Sequence, residues 1–142
     1  MNKLLTYLIP VTVLFMAPTV QSEPDQRIQL DLPEPMQTHL LASMRQHLVV
    51  IDQLLGMLAR EDFDKAADLA ERELGMSSLD KHGASHIAKY YPKQSAQFGT
   101  NMHKAASRFA RVAQEGDALA AYKALGEITQ NCVGCHATAK VR

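Results

Sequence analysis

Both cysteines of the 142-residue chain fall in one run, Cys132-Val133-Gly134-Cys135-His136. On a helix, positions i and i+3 share a face, so both thiols project to one side and His136, four after Cys132, follows them. This spacing is the attachment signal for a c-type haem. Each thiol adds across one vinyl group to form a thioether, and the imidazole Nε2 of the next residue becomes the proximal iron ligand. Val133 and Gly134 are small, which lets a porphyrin edge come close. Three other chemistries use parts of the run. A disulfide needs only the cysteines. Thiol exchange of the thioredoxin kind places C-x-x-C early in a βα unit, whereas here it closes a chain without strand signals. A structural zinc site takes four ligands, so the trio would have to recruit His39, His47, His82, His86 or His103. Covalent haem is the reading that uses all three residues in place.

Haem is attached to such motifs outside the cytoplasm, and the N-terminus agrees. Lys3 precedes an apolar run from Leu4 to about Met16, and Val20-Gln21-Ser22 offers a cleavage site, so residues 1–22 are expected to be a signal peptide. Pro10, Pro18, Thr6 and Thr12 make the run a poor membrane span, and no stable membrane insertion is expected after cleavage. The mature chain would then begin at Glu23 in an oxidising compartment, the periplasm. Basic and acidic side chains balance at 15 each. That balance gives no electrostatic footprint for nucleic acid.

The elements that must hold the motif read as helices. Apolar residues make up 46% and aromatics only 6%, with no tryptophan; Ala, Leu, Met, Gln and Glu dominate, a helical composition. Residues 23–35, with Pro24, Pro33 and Pro35, are an extended leader outside the packed fold. A first helix is predicted from Met36 to near Arg60, with Leu41, Met44, Leu48, Ile51, Leu55 and Leu58 on its buried face. Asp62 is the expected N-cap of a second helix carrying Phe63, Ala66, Ala67, Ala70 and Leu74, stopped by Gly75. Ser77 or Ser78 would cap a short helix through Leu79, His82 and Ile87, closed by Pro92. The third helix spans about Lys93–Glu115 (Phe98, Met102, Ala105, Phe109, Val112). Gly116-Asp117 turns the chain into a fourth, from Ala118 to about Ala139, with Tyr122, Leu125, Ile128, Cys132, Cys135 and Ala139 inward. Residues 36–142 thus form one all-α domain, an antiparallel four-helix bundle with the haem-attachment helix last.

The second axial position is less constrained. Met36, His39, Met44, His47, Met76, His82, His86, Met102 and His103 are all capable, and Met44 stands out because it lies mid-stripe on the first helix. A Met on such a stripe is also ordinary core filler. An exported bundle with C-x-x-C-H on its fourth helix resembles the class II c-type cytochromes, cytochrome c′ and its low-spin relatives of the cytochrome c-556 type. The similarity covers about residues 36–140. It includes the turn Ala59-Arg60-Glu61-Asp62-Phe63-Asp64, the Gly116-Asp117 turn and Lys140, four after the haem histidine. Ala139 stands where the family often has an aromatic, Leu40-Leu41 where it often has Arg-Gln, and the stretch Leu74–Tyr91 is longer. In that family the residue over the distal haem face lies about twenty positions before the aromatic of the first turn. Counted back from Phe63, this implies Met44, with Leu40 or Leu41 one turn away.

The resemblance therefore implies a monohaem electron carrier, not an enzyme. His136 and Met44 would fill both axial sites, leave no open position, and favour Fe(II) through the thioether sulfur. Its partner would be a redox protein, and a homodimer packed through the first helix is a further implication. If Leu40 or Leu41 covers the iron, the protein is instead a five-coordinate NO- or CO-binding protein. The remote alternative is a non-haem metal-binding or thiol-active bundle. Lys140, Arg45, Arg108 or Arg111 would neutralise a haem propionate. His82 and His86, at i and i+4, are a further metal pair if they share a helix.

Overall fold

In a computed structural model of the chain, residues 23–141 are described; the expected signal peptide lies outside them. The first helix, α1 (Glu34–Ala59), starts at Pro33-Glu34-Pro35, where proline sets the helical φ and no amide is lost from the ladder. It ends at Arg60, and Glu61 then takes a left-handed φ of 60° that reverses the chain into α2 (Phe63–Leu74). Asp62 precedes α2 without capping it; its carboxylate accepts instead from Lys65 Nζ at 2.9 Å.

Gly75 stops α2 as expected, but with a negative φ of −71°. The glycine is needed for closeness: a Cβ there would lie 2.7 Å from the Glu71 carbonyl oxygen. A 3₁₀ turn follows at Met76–Ser78, then the four-residue α3 (Ala84–Ile87) and a second 3₁₀ turn, Ala88–Tyr90. Ser78 is buried and caps nothing; its hydroxyl donates to the Gly75 carbonyl at 2.7 Å. The long helices α4 (Lys93–Ala113) and α5 (Ala118–Thr138) are joined by Gly116, at φ 75°, and by Asp117, whose carboxylate accepts from the Ala120 amide at 3.1 Å. That turn matches the sequence reading in both residues.

The fold is all-α. Helix α4 packs against α5 and α2, and α1 packs against α2. Val50, Leu54, Leu58, Leu74, Phe109 and Ile128, each at most 2% exposed, fill the common core. Two expected faces differ in part. On α1 the buried residues are Leu40, His47, Val50, Leu54 and Leu58, while Leu55 is 44% exposed and Met44, Leu48 and Ile51 line a cavity beside the core. The segment Leu48-Val49-Val50-Ile51 is apolar all round, so its period does not single out one face. On α5, Tyr122 is 40% exposed, and Ala121 and Ala124 are buried in its place.

The leader departs from expectation. Ile28–Gln29 (β1) pairs in parallel with Ala139–Lys140 (β2), in register Ile28 to Ala139. The Leu30 amide donates to the Lys140 carbonyl at 2.9 Å, and Leu30 is buried with Leu40 and Ala139. Leu30 and the partly buried Leu32 give the leader something to bury, while Ile28 stays 53% exposed. Among the described residues no helix is long and apolar enough to cross a membrane.

Candidate haem site

Helices α1 and α5 touch only slightly, whereas each packs on its other neighbour. The space between them is a cavity of about 510 Å³, bounded by α1, α4, α5 and the short α3 segment. Its size falls in the range of small-molecule and cofactor sites, about 300–1,000 Å³. The lining is mostly apolar, with Leu40, Ile51, Leu79, Ile87 and Phe98 among its walls.

Cys132, Cys135 and His136 line this cavity from α5, and Met44 lines it from α1. The four residues read from the sequence therefore border one space. Cys132 and Cys135 are free thiols, both half-buried. Burial raises both thiols above the ordinary value, and Cys135 adds to the effect at Cys132. Neither is a ready thiolate, which disfavours thiol exchange at neutral pH. Cys132 Sγ donates to the Ile128 carbonyl at 3.5 Å. Thr138 holds the last turn by donating to the Cys135 carbonyl at 3.0 Å, and Ser95 of α4 meets its hydroxyl at 3.3 Å. Gly134 lets α4 approach the motif: a Cβ there would stand 2.5 Å from the Phe98 ring. The smallness of this residue thus serves helix packing as well as access from the cavity.

His136 is exposed in the last turn of α5 and reaches the cavity from its rim. Arg27 of the leader donates to its carbonyl at 3.3 Å, so the leader also steadies this turn. Tyr91 closes the α3 side, and burial pushes its hydroxyl up to about 12, with the Cys135 thiol adding to the shift.

These residues fit a covalently held haem. Two thiols and an imidazole on one helix border an apolar space of suitable volume, and a thioether faces it from another helix. The basic residues expected at the propionates do not line the cavity. Lys140 pairs with Asp25 of the leader at 3.2 Å, and Arg108 pairs with Glu127 at 2.9 Å; Arg45 and Arg111 are exposed.

The sequence missed a second group. His47 of α1, His82 before α3 and His103 of α4 are each 7% exposed and line the same cavity. The pair expected from spacing, His82 with His86, does not form: His82 is in a turn, His86 is exposed on α3, and only His82 lines the cavity. His39 stands apart too, beside Gly83. The available signal was a histidine at core spacing, since His47 falls between Leu40, Val50 and Leu54 on one stripe.

Comparison with protein-family models, curated proteins and solved structures finds no match.

Proposed function

We propose that this chain is an exported monohaem c-type cytochrome that carries electrons in the periplasm, its helices forming an antiparallel four-helix bundle. Cys132 and Cys135 are its haem thioethers, His136 the proximal ligand and Met44 the distal one. The single observation that carries this reading is that all four residues, from the two helices α1 and α5, border one apolar cavity of about 510 Å³. The bound haem supplies an Fe(III)/Fe(II) couple, whose potential Met/His ligation raises.

The chain's own residues do the rest. The α5 turn fixes the thiols and the imidazole on one side. Leu40, Ile51, Ile87 and Phe98 exclude water, and a low-dielectric lining disfavours the more highly charged oxidised state. Exposure of His136 at the rim leaves a route to a redox partner through a small, transient interface. With both axial positions filled by side chains, no substrate site remains, so the reading is a carrier and not an enzyme.

A second reading has one observation behind it: Leu40, only 4% exposed, lines the cavity one turn from Met44. If Leu40 covers the iron, the protein binds NO or CO. Two measurements decide. A haem stain that survives denaturing electrophoresis tests the thioethers, and its absence from protein made in a haem-attaching host removes both readings. Ferric wild type should then be low-spin with a near-infrared Met–sulfur band that Met44→Ala abolishes. A low-spin spectrum unchanged by Met44→Ala rejects Met44, and a high-spin ferric protein that binds CO on reduction selects the second reading.

A further inference from the structure

Three elements distant in sequence bring three imidazoles together on the cavity wall. The ring centroids of His47 and His82 are 4.6 Å apart, those of His82 and His103 5.6 Å, and those of His47 and His103 6.4 Å. Each is 7% exposed. Three buried histidines are costly to assemble for packing alone, since each brings a polar ring and a latent charge into the interior.

Their hydrogen bonds leave lone pairs in useful places. A carbonyl can only accept, so His103 Nδ1–H donates to the Leu74 carbonyl at 2.7 Å, and its Nε2 is left as a bare acceptor. A ring nitrogen tied to a backbone carbonyl, with the other nitrogen free, is the usual outer-shell arrangement of a metal-binding histidine. His82 Nε2–H donates to the Glu73 carbonyl at 3.0 Å and lies 3.4 Å from His47 Nε2. His47 Nε2 is therefore an acceptor as well. The separation of 3.4 Å is what two nitrogens on one tetrahedral ion require, given metal–nitrogen bonds of about 2.0–2.1 Å.

We propose that His47, His82 and His103 form a second metal site, for a late first-row divalent cation of the zinc and copper type, distinct from the Cys132-Cys135-His136 motif. Imidazole suits these ions. Burial, together with the neighbouring His82 and His103, holds His47 down to about 4, and burial also lowers His103. Both rings are thus neutral at neutral pH, the form that ligates. Among the described residues no group of three such side chains is placed to hold a metal ion as it stands. Closure needs one local change: the His82 proton moves from Nε2 to Nδ1, the bond to Glu73 is given up, and the ion takes the place of that proton between His82 and His47. The three rings stand together on the cavity wall, and the fourth position of such an ion is taken by water or a small ligand.

The probe is Zn²⁺ alone, added to the full-length protein as isolated with its haem, because the zinc X-ray absorption edge is separate from that of iron. The expected result is one zinc per chain, with an absorption spectrum showing histidine nitrogens at about 2.0–2.1 Å and no sulfur. His47→Ala, His82→Ala and His103→Ala should each weaken binding at least about 10-fold to 100-fold, while His39→Ala and His86→Ala leave it unchanged. Circular dichroism checks that each variant is folded, and His47→Gln and His103→Gln, which keep a polar side chain, replace any alanine variant that is not. No bound zinc overturns the proposal. So does zinc held by sulfur, or zinc whose affinity is unmoved by folded His47 and His103 variants.

Discussion

Gly134→Ala probes how α4 and α5 position the motif. The added methyl would lie 2.5, 2.7 and 2.8 Å from Cε1, Cζ and Cδ1 of Phe98. Carbon atoms settle at about 3.5–4.0 Å, so the ring edge must retreat by about 1 Å. Overpacking of this kind costs about 1–3 kcal/mol. Against it, alanine in a helix interior is better than glycine by about 0.8–1.0 kcal/mol. In wild type the balance is a net loss of up to about 2 kcal/mol. In a Phe98→Ala background the clash is gone, and the same change should stabilise by about 1 kcal/mol. Urea unfolding of the four proteins gives the coupling between the two positions, expected at about 1–3 kcal/mol. The haem-attached fraction, read from stained gels, should fall in Gly134→Ala and recover in the double variant. Additivity within about 0.5 kcal/mol would show that Phe98 is not what Gly134 makes room for.

Other perturbations follow from named contacts. His47 gains its second, charging proton only near pH 4 when folded, against an ordinary 6.5, so between these values the unfolded chain binds a proton that the folded chain does not. Stability of the zinc-free protein should therefore fall as pH drops through that window, by about 3 kcal/mol in all, and His47→Gln should flatten the acid limb of a urea-midpoint profile. Phe109→Ala empties a fully buried core position and should cost about 3–5 kcal/mol by the same unfolding measurement. Leu30→Ala should release the leader from Ala139, seen as faster proteolysis before Pro33 with little change in the circular dichroism of the helices.

What was legible in the sequence was local. The Gly116-Asp117 turn depends on one left-handed φ and one short carboxylate, both written in adjacent residues. The apolar face of α2 was equally plain, because its charged and apolar residues alternate sharply with the helical period. The face of α1 was not, because apolar residues surround it near Val50, and which of them are buried depends on where α2 sits. The leader's pairing with Ala139–Lys140 joins the two ends of the described chain, and no local pattern announces so distant a partner. For the candidate site, the thiols and His136 are contiguous and readable, and Met44 was reached through resemblance. The histidine cluster was hidden because His47 and His82 stand 35 residues apart.

The inward side of α1 bears directly on that cluster. His47 lies on the buried stripe with Leu40, Val50 and Leu54, and Met44, three residues before it, lines the cavity with Leu48 and Ile51 of the expected stripe. One helix face therefore presents both a thioether and an imidazole to the same space. The two are separable by experiment, because an axial haem ligand changes the iron spectrum and a ligand of the histidine cluster does not. Met44→Ala should alter the ferric spectrum and leave zinc affinity intact, whereas His47→Ala should do the reverse. A His47→Ala protein that loses its low-spin spectrum while Met44→Ala keeps it would reassign the distal ligand to His47 and dissolve the second site.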